Sequence, residues 1–294
     1  MSDTMIAGLE LGGTKCVALL GTGPDHIVDR VSVPTDDPAT TLGALEAVLD
    51  RWTFDALGIA AFGPLDLDPT SAAYGSVAAT TKPGWSGTAL RSRFAARYGR
   101  PAAIQTDVVG AALAEGAWGA ARGMADHVYI TIGTGVGIGA IVNGRPAGAV
   151  AHGEAGHMRI ARVRGDDFAG WCHFHGDCVE GLVSGPALAL RTGIPGADIP
   201  RDHPVWHDVA HDVAMLLHNL VVTLAPQRIA LGGGIPTARP ELLPMIRAAL
   251  SESLAGYGMF GAYAADLDTR LGPPGLGDMA GPLGALAVGL AAEK

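Results

Sequence analysis

Three short glycine turns, a carboxylate placed after a strand, and a cluster of cysteines and histidines are the parts of this sequence with the types and spacing for chemistry. The turns are Gly12-Gly13-Thr14, Gly133-Thr134-Gly135 and Gly232-Gly233-Gly234, and each follows a short apolar run. A glycine backbone can present adjacent N–H groups to a phosphate, because no Cβ stands in the way. Thr14 and Thr134 add hydroxyl donors and Lys15 adds a charge. Two such turns facing each other would clamp a polyphosphate, and the third could carry the nucleoside. Taken singly, each turn reads first as a plain hairpin; the three together favour a nucleotide. A P-loop is excluded, since it needs Gly-Lys followed by Ser or Thr and the order here is Gly13-Thr14-Lys15. Gly135-x-Gly137-x-x-Ala140 loosely matches a dinucleotide fingerprint, but that fingerprint opens a helix and a β-prone run follows here.

Asp107 follows the strand-like run Ala103-Ile104-Gln105-Thr106 and opens a helical pattern. Ligands of α/β sheets lie at the carboxyl ends of strands, where a carboxylate can take a proton from an attacking hydroxyl. The competing reading of Asp107 is a helix N-cap. Glu10 ends the first strand and could orient Mg²⁺ through water, or be a solvated strand-end charge. Cys172-x-x-His175-x-x-Cys178, with His157 upstream, supplies the two cysteines and two histidines of a closed structural zinc site. Glu154 shares a loop with His157, so a metal on His157 would fix Glu154, and Glu154 and Glu180 could then accept hydrogen bonds from sugar hydroxyls. Cys16 sits in an apolar strand and reads as core.

These groups need a scaffold. Strand patterns cover Met5 to Glu10, Cys16 to Leu20, Ile27 to Val33, Ala56 to Ala61 and Ala102 to Thr106. Helical patterns cover Pro38 to Trp52, with Asp37 as cap, and Asp107 to Trp118. The stretch from Leu65 to Trp85 is irregular, and loops that long are usually functional. Strand, glycine turn and strand then return at Val128 to Val142, about 120 residues on, which reads as a duplicated domain or, equally, as two common glycine-rich hairpins that coincide. Later patterns predict helices at Val205 to Leu224, Pro240 to Tyr257 and Gly281 to Ala292, the last rich in small residues. Alternating strands and helices indicate an α/β protein. The expected division is residues 1–118 and residues 119–294, packed around a cleft, with the final helix returning to the first half.

With 48% hydrophobic and 17% charged residues, the chain can bury cores and is not disordered. A formal net charge of −9, with no Lys/Arg run, argues against a nucleic-acid or anionic-membrane partner. No secretory leader is expected at Met1 to Met5, and the apolar run Val213 to Ala225 is too short to span a membrane and carries His218 and Asn219. A cytoplasmic protein is expected.

Taken together, these stretches resemble the ROK family of bacterial sugar kinases and repressors over essentially the whole chain, and its fructokinase branch above all. The resemblance rests on Gly8 to Lys15, Ile132 to Gly135, Gly153-Glu154-Ala155-Gly156-His157, Leu231 to Gly234 and, most specifically, Cys172 to Gly181. Thr80-Thr81-Lys82-Pro83-Gly84-Trp85 is similar to the family's loop on the sugar side. The resemblance implies a two-lobed, actin-like fold with sugar and MgATP in the cleft. It implies Asp107 as base, and Lys82, Gly84, Trp85, Glu154, His157 and Glu180 near the sugar. It implies zinc on His157, Cys172, His175 and Cys178, and a homodimer. Val109 stands where many relatives have Asn, which leaves the preferred hexose among fructose, mannose and glucose open. Glu10 stands where many relatives have Asp, a variant usual in the fructokinase branch. The rivals are a sugar-responsive repressor, which would need a DNA-binding helix pair that the acidic chain shows no candidate for, and a non-catalytic sugar sensor, which would tolerate loss of Asp107.

Overall fold

The computed structural model describes residues 4–148 and 151–292; the first residues of the Met1 to Met5 stretch, Ala149-Val150 and the last two residues lie outside them. The first half runs β1 (Ile6–Leu11), β2 (Lys15–Gly23), β3 (His26–Pro34), α1 (Pro38–Leu49), β4 (Ala56–Ala61), α2 (Arg91–Tyr98), β5 (Ala102–Thr106) and α3 (Asp107–Trp118). It continues with β6 (His127–Ile132), β7 (Val136–Val142), β8 (Arg145–Pro146), α4 (Val179–Val183), α5 (Gly185–Thr192) and α6 (Val205–Leu224). The chain closes with β9 (Arg228–Gly232), α7 (Gly234–Ala238), α8 (Leu242–Leu254), α9 (Phe260–Ala265), α10 (Leu267–Arg270), β10 (Leu271–Gly272) and α11 (Ala280–Ala291).

Two five-stranded sheets form, in the orders β3-β2-β1-β4-β5 and β10-β9-β6-β7-β8. Read from its other edge, the second is β8-β7-β6-β9-β10, so each glycine hairpin occupies the same place in its sheet. In both, the hairpin's first strand is central and takes a parallel neighbour, β4 beside β1 and β9 beside β6.

The chain divides into two compact units. One takes the chain up to Gly123, Gly139–Gly153 and the stretch from Gly275 on; the other takes Met124–Ile138 and Glu154–Pro274. In the first unit the strand period of two sorts the side chains by face. Ala7, Leu9 and Leu11 of β1 join Leu42, Leu45, Leu49 and Phe94 in one core. Ile6 faces the other way, with Leu19, Ala114, Leu283 and Leu286. Helix α11 lies unusually close on that second face. A Cβ on Gly58 would overlap the Ala285 carbonyl oxygen, and one on Gly284 would come 2.5 Å from the Gly110 carbonyl carbon. Two glycines at such crossings let backbones approach as no side chain would allow. In the second unit, α6 buries Val209, Val213, Leu216, Leu217 and Leu220 and packs on α8.

Among the described residues no helix is long and apolar enough to cross a membrane. Helix α1 ends at Leu49 rather than Trp52, and Asp37 caps it through the N–H groups of Ala39 and Thr40, at 2.9 and 3.0 Å. Helix α8 stops at Leu254, inside the predicted Pro240 to Tyr257, because Ala255 turns left-handed at φ 51°. The short α7, α9, α10, β8 and β10 span too few residues to leave a periodic signal in the sequence.

Candidate active site

The candidate residues separate cleanly by unit. The first unit holds Glu10, Gly12, Gly13, Thr14, Lys15, Lys82, Gly84, Trp85 and Asp107, and the second holds the rest.

In the first unit, the Gly12 N–H donates to the Lys15 carbonyl at 3.1 Å and closes the β1–β2 turn. A Cβ at Gly12 would lie 2.7 Å from that oxygen, whereas one at Gly13 would meet nothing within 4 Å. Gly12 is therefore a requirement of the turn, and Gly13 leaves an open, exposed face above it. The turn is held from two sides. The Thr35 hydroxyl donates to the Gly12 carbonyl at 2.8 Å, and the Lys82 Nζ donates to the Gly13 carbonyl at 2.6 Å. Lys82, expected near the sugar, thus reaches the first glycine turn.

Glu10 follows the period of β1 onto the α11 face. Gly281, in the first turn of α11, makes the room, since a Cβ there would overlap the Glu10 carboxylate. Burial, and then the negative charge of Asp107, push Glu10 up to about 7, against a smaller pull from Lys15. A half-buried carboxylate with a second one in its field suits a cation such as Mg²⁺. The partner Gly281 was missed from sequence; only the small-residue run of the last helix pointed to it.

Asp107 heads α3 directly beyond β5. It is not the N-cap: Thr106 is, its side chain accepting the Val109 N–H at 3.3 Å. The Asp107 carboxylate accepts the Val108 N–H at 2.8 Å and lies at the positive end of the helix. Val109 is buried and, with Leu67, Gln105 and His152, lines a cavity of about 70 Å³. His152 accepts the Leu65 N–H at 2.9 Å through Nε2.

Trp85 departs from expectation. Its side chain is fully buried in the first unit's core, with its Nε1 donating to the Asp36 carbonyl at 3.0 Å and its ring edge-on to Phe62 at 5.0 Å. With no exposed surface and its one polar atom used, Trp85 anchors the long loop and presents nothing to a sugar. The neighbouring Gly84 is exposed and left-handed at φ 79°.

In the second unit the second and third turns are neighbours. Thr131 of β6 pairs with Gly232 of β9, and a Cβ on Gly133 would lie 3.9 Å from the Gly234 nitrogen. Gly233 has φ 95°, and a Cβ there would collide with the Ile132 backbone. The second turn is held by the Gly185 N–H, which donates to the Gly133 carbonyl at 2.7 Å. It is also held by Glu180, whose carboxylate accepts the Val136 N–H at 3.1 Å. Glu180, expected to face a sugar, thus has one oxygen engaged with this turn.

His157, Cys172, His175 and Cys178 form the one cluster of metal-binding side chains among the described residues, with ligand atoms all within 4.8 Å of one another. The His157 Nδ1 lies 3.6 and 3.5 Å from the sulfurs of Cys172 and Cys178, and the His175 Nδ1 lies 3.7 Å from Cys172. A tetrahedral zinc with metal–sulfur bonds of about 2.3 Å and metal–nitrogen bonds of about 2.0–2.1 Å has sulfur–nitrogen edges of about 3.6 Å. The donor set therefore fits zinc in both chemistry and spacing. Cys172 and Gly176 exchange backbone hydrogen bonds of 3.1 and 2.9 Å, which makes the tight knuckle carrying His175. Asp177, between two of the ligands, is held by Arg159 at 2.8 Å and Arg162 at 3.2 Å. A short 3-10 turn, Ala155–His157, carries His157 immediately after Glu154. Gly156 in that turn lies against Val136, where a Cβ would overlap the Val136 carbonyl oxygen. The metal-type cluster, Glu180 and the second glycine turn thus form one packed group, and the exposed Glu154 directly precedes the turn that carries His157.

Comparison with known proteins settles the family. The ROK family pattern matches residues 6–292. The chain belongs to the ROK family. It is 38% identical over 290 residues to a fructokinase of Pediococcus pentosaceus, covering 99% of each chain. It is also 38% identical to the fructokinase of Zymomonas mobilis, over 308 residues that span 100% of this chain and 99% of that one. A crystal structure of a ROK hexokinase from Thermus thermophilus superposes with a TM-score of 0.79 at 27% identity, over 98% of each chain. The ROK fold is the actin-like one of sugar kinases, and the repeated sheet order described above is its duplication.

Proposed function

We propose that this ROK protein is an ATP-dependent fructokinase that converts D-fructose to fructose 6-phosphate. The observation that carries the reading is the full-length match to fructokinases at 38% identity, on a chain that keeps a carboxylate at the head of α3. In this reading Asp107 accepts the proton of the sugar's 6-hydroxyl as that oxygen attacks the γ-phosphorus of ATP. The bond to the bridging oxygen breaks and ADP leaves with the electron pair. The two units are the two lobes of the kinase. Gly12, Gly13, Thr14 and Lys15 in one and Gly133, Thr134 and Gly135 in the other hold the phosphates, and Gly232, Gly233 and Gly234 the nucleoside. Glu154 and Glu180 accept hydrogen bonds from sugar hydroxyls, His157, with Nδ1 turned to the cysteines, donates from Nε2–H to a sugar oxygen, and Lys82 and Gly84 hold the adjoining loop beside the first turn. Mg²⁺, when bound, neutralises phosphate charge, and Glu10 is the residue that orients it. Zinc on His157, Cys172, His175 and Cys178 acts by fixing the loop that carries Glu154 and the start of α4 that carries Glu180. The enzyme works in the cytoplasm as a homodimer, without nucleic acid or membrane.

The test is product identification. Phosphorus NMR of purified protein with ATP, Mg²⁺ and D-fructose should show ADP and a phosphomonoester at the 6-position in equal amounts. ADP released with inorganic phosphate and no sugar ester, or no ADP at all, would contradict the reading.

A further inference from the structure

Glu115 has a buried carboxylate that the phosphoryl-transfer chemistry does not use. It lies in α3, 0% exposed, on the same helix whose first residue is Asp107. Its Oε2 accepts the Ala120 N–H at 2.7 Å and the Gly275 N–H at 2.9 Å, and its Oε1 accepts the Leu276 N–H at 2.9 Å. These three donors come from two stretches far apart in sequence. Gly119–Gly123 is where the chain leaves the first unit toward β6, and Gly275 is where it re-enters after β10. Both stretches are shaped around the carboxylate. A Cβ on Gly119 would overlap Glu115 Oε2, and one on Gly275 would lie 2.5 Å from the Ala120 nitrogen and 2.9 Å from the Gly119 carbonyl carbon.

A buried carboxylate is costly unless its oxygens are satisfied, and a side chain of the same shape without two acceptors would leave backbone donors unmet. A carboxylate that ties α3 to both crossings is therefore more than filler. Each crossing leads to a strand system that carries a glycine turn: the first enters β6 ahead of Gly133, and the last follows β10, which pairs with β9 ahead of Gly233.

We propose that Glu115 is a positioning residue for phosphoryl transfer: its carboxylate pins both chain crossings to the helix that carries Asp107, and so holds that helix, and the base at its head, in place within the first unit. The proposal rests on the kinase reading for its catalytic consequence, and on geometry alone for the pin. Glu115→Gln keeps the shape but turns one acceptor into a donor facing N–H groups. Its turnover should fall on the order of 100-fold, the scale of a misplacement of about an ångström. Fructose binding measured by calorimetry should stay near that of the unchanged protein, because no sugar contact is touched. A core variant matched for loss of Tm, Leu45→Ala, should keep most of its turnover.

Hydrogen exchange of the unaltered protein reads the pin without any variant. The amides of Ala120, Gly275 and Leu276 should exchange as slowly as those inside α3. Glu115→Gln should speed these three and leave the rest of α3 protected. Rapid exchange of the three amides in the unaltered protein would overturn the pin, even if no hexose is phosphorylated. Slow exchange, with a turnover loss in Glu115→Gln no larger than that of Leu45→Ala, would overturn the positioning role and leave the fructokinase reading untouched.

Discussion

The hairpin β1–β2 and the hairpin β6–β7 occupy the same place in sheets of the same order, yet their surroundings differ. The first turn has carboxylates behind it: Glu10 on the strand that feeds it, and Asp107 in the field of Glu10. It is tied down by Lys82 and Thr35. The second turn has the third glycine turn beside it and the cysteine–histidine cluster behind it, and is tied down by Glu180 and the start of α5. In the proposed reading one repeat serves proton transfer and cation binding, and the other holds a ligand beside the metal-type loop. Duplication supplies two equivalent backbone cradles, and the side chains around each decide its task.

The largest effect should come from the first cradle. Asp107→Asn should cut turnover by about 10²–10⁴-fold, the usual worth of a general base, while fructose binding measured by calorimetry stays within a few-fold. Loss of binding and turnover together would assign Asp107 to holding the sugar rather than to chemistry.

The second cradle should break through its metal. Purified protein should contain about one zinc per chain by elemental analysis, and Cys178→Ser about none, with a lower Tm and weaker sugar binding. A fully active, zinc-free preparation would end the comparison, because the two cradles would then differ only in their hydrogen bonds.

A sharper contrast lies inside the first turn. Gly12→Ala should destabilise the protein by roughly 1–3 kcal/mol in a denaturant titration, since the new Cβ meets the Lys15 carbonyl oxygen. Gly13→Ala should stay within about 0.5 kcal/mol of the unchanged protein, yet raise the KM for ATP, because its methyl group stands over the open face.

The smallest effect is a pH slope. Folding raises Glu10 from 4.5 to about 7, so the folded chain binds more protons than the unfolded one between those values. The contribution to stability is full below 4.5 and is lost as pH rises through about 7. In nucleotide- and Mg²⁺-free protein, Tm should therefore fall between pH 5 and 8 more steeply than in Glu10→Gln. Parallel Tm curves for the two would place Glu10 in water rather than against α11.

Much of this arrangement was legible in the sequence because it rests on local rules. Glycine turns after apolar runs, the Cys-x-x-His-x-x-Cys spacing and the Asp after a strand are each visible within a few residues, and the duplicated hairpin shows as a repeat. What stayed hidden depends on residues distant in sequence. Trp85 reads as a loop residue beside a sugar until the fold buries it under Phe62 and bonds it to Asp36. Gly281 makes room for Glu10 from 271 positions away, and Glu115 meets Gly275 across 160. The cap of α3 was ambiguous for a different reason: Thr106 and Asp107 are adjacent and both cap well, and only the Val109 N–H contact decides between them.

The most direct test of the central claim is the rate of ATP-dependent phosphorylation of D-fructose, D-mannose, D-glucose and N-acetylated hexoses, at equal concentrations. The fructokinase reading predicts a clear preference for D-fructose, with Val109 as a tolerated difference. Turnover confined to another hexose would contradict the substrate while keeping the kinase, and no turnover on any of them would contradict the enzyme itself.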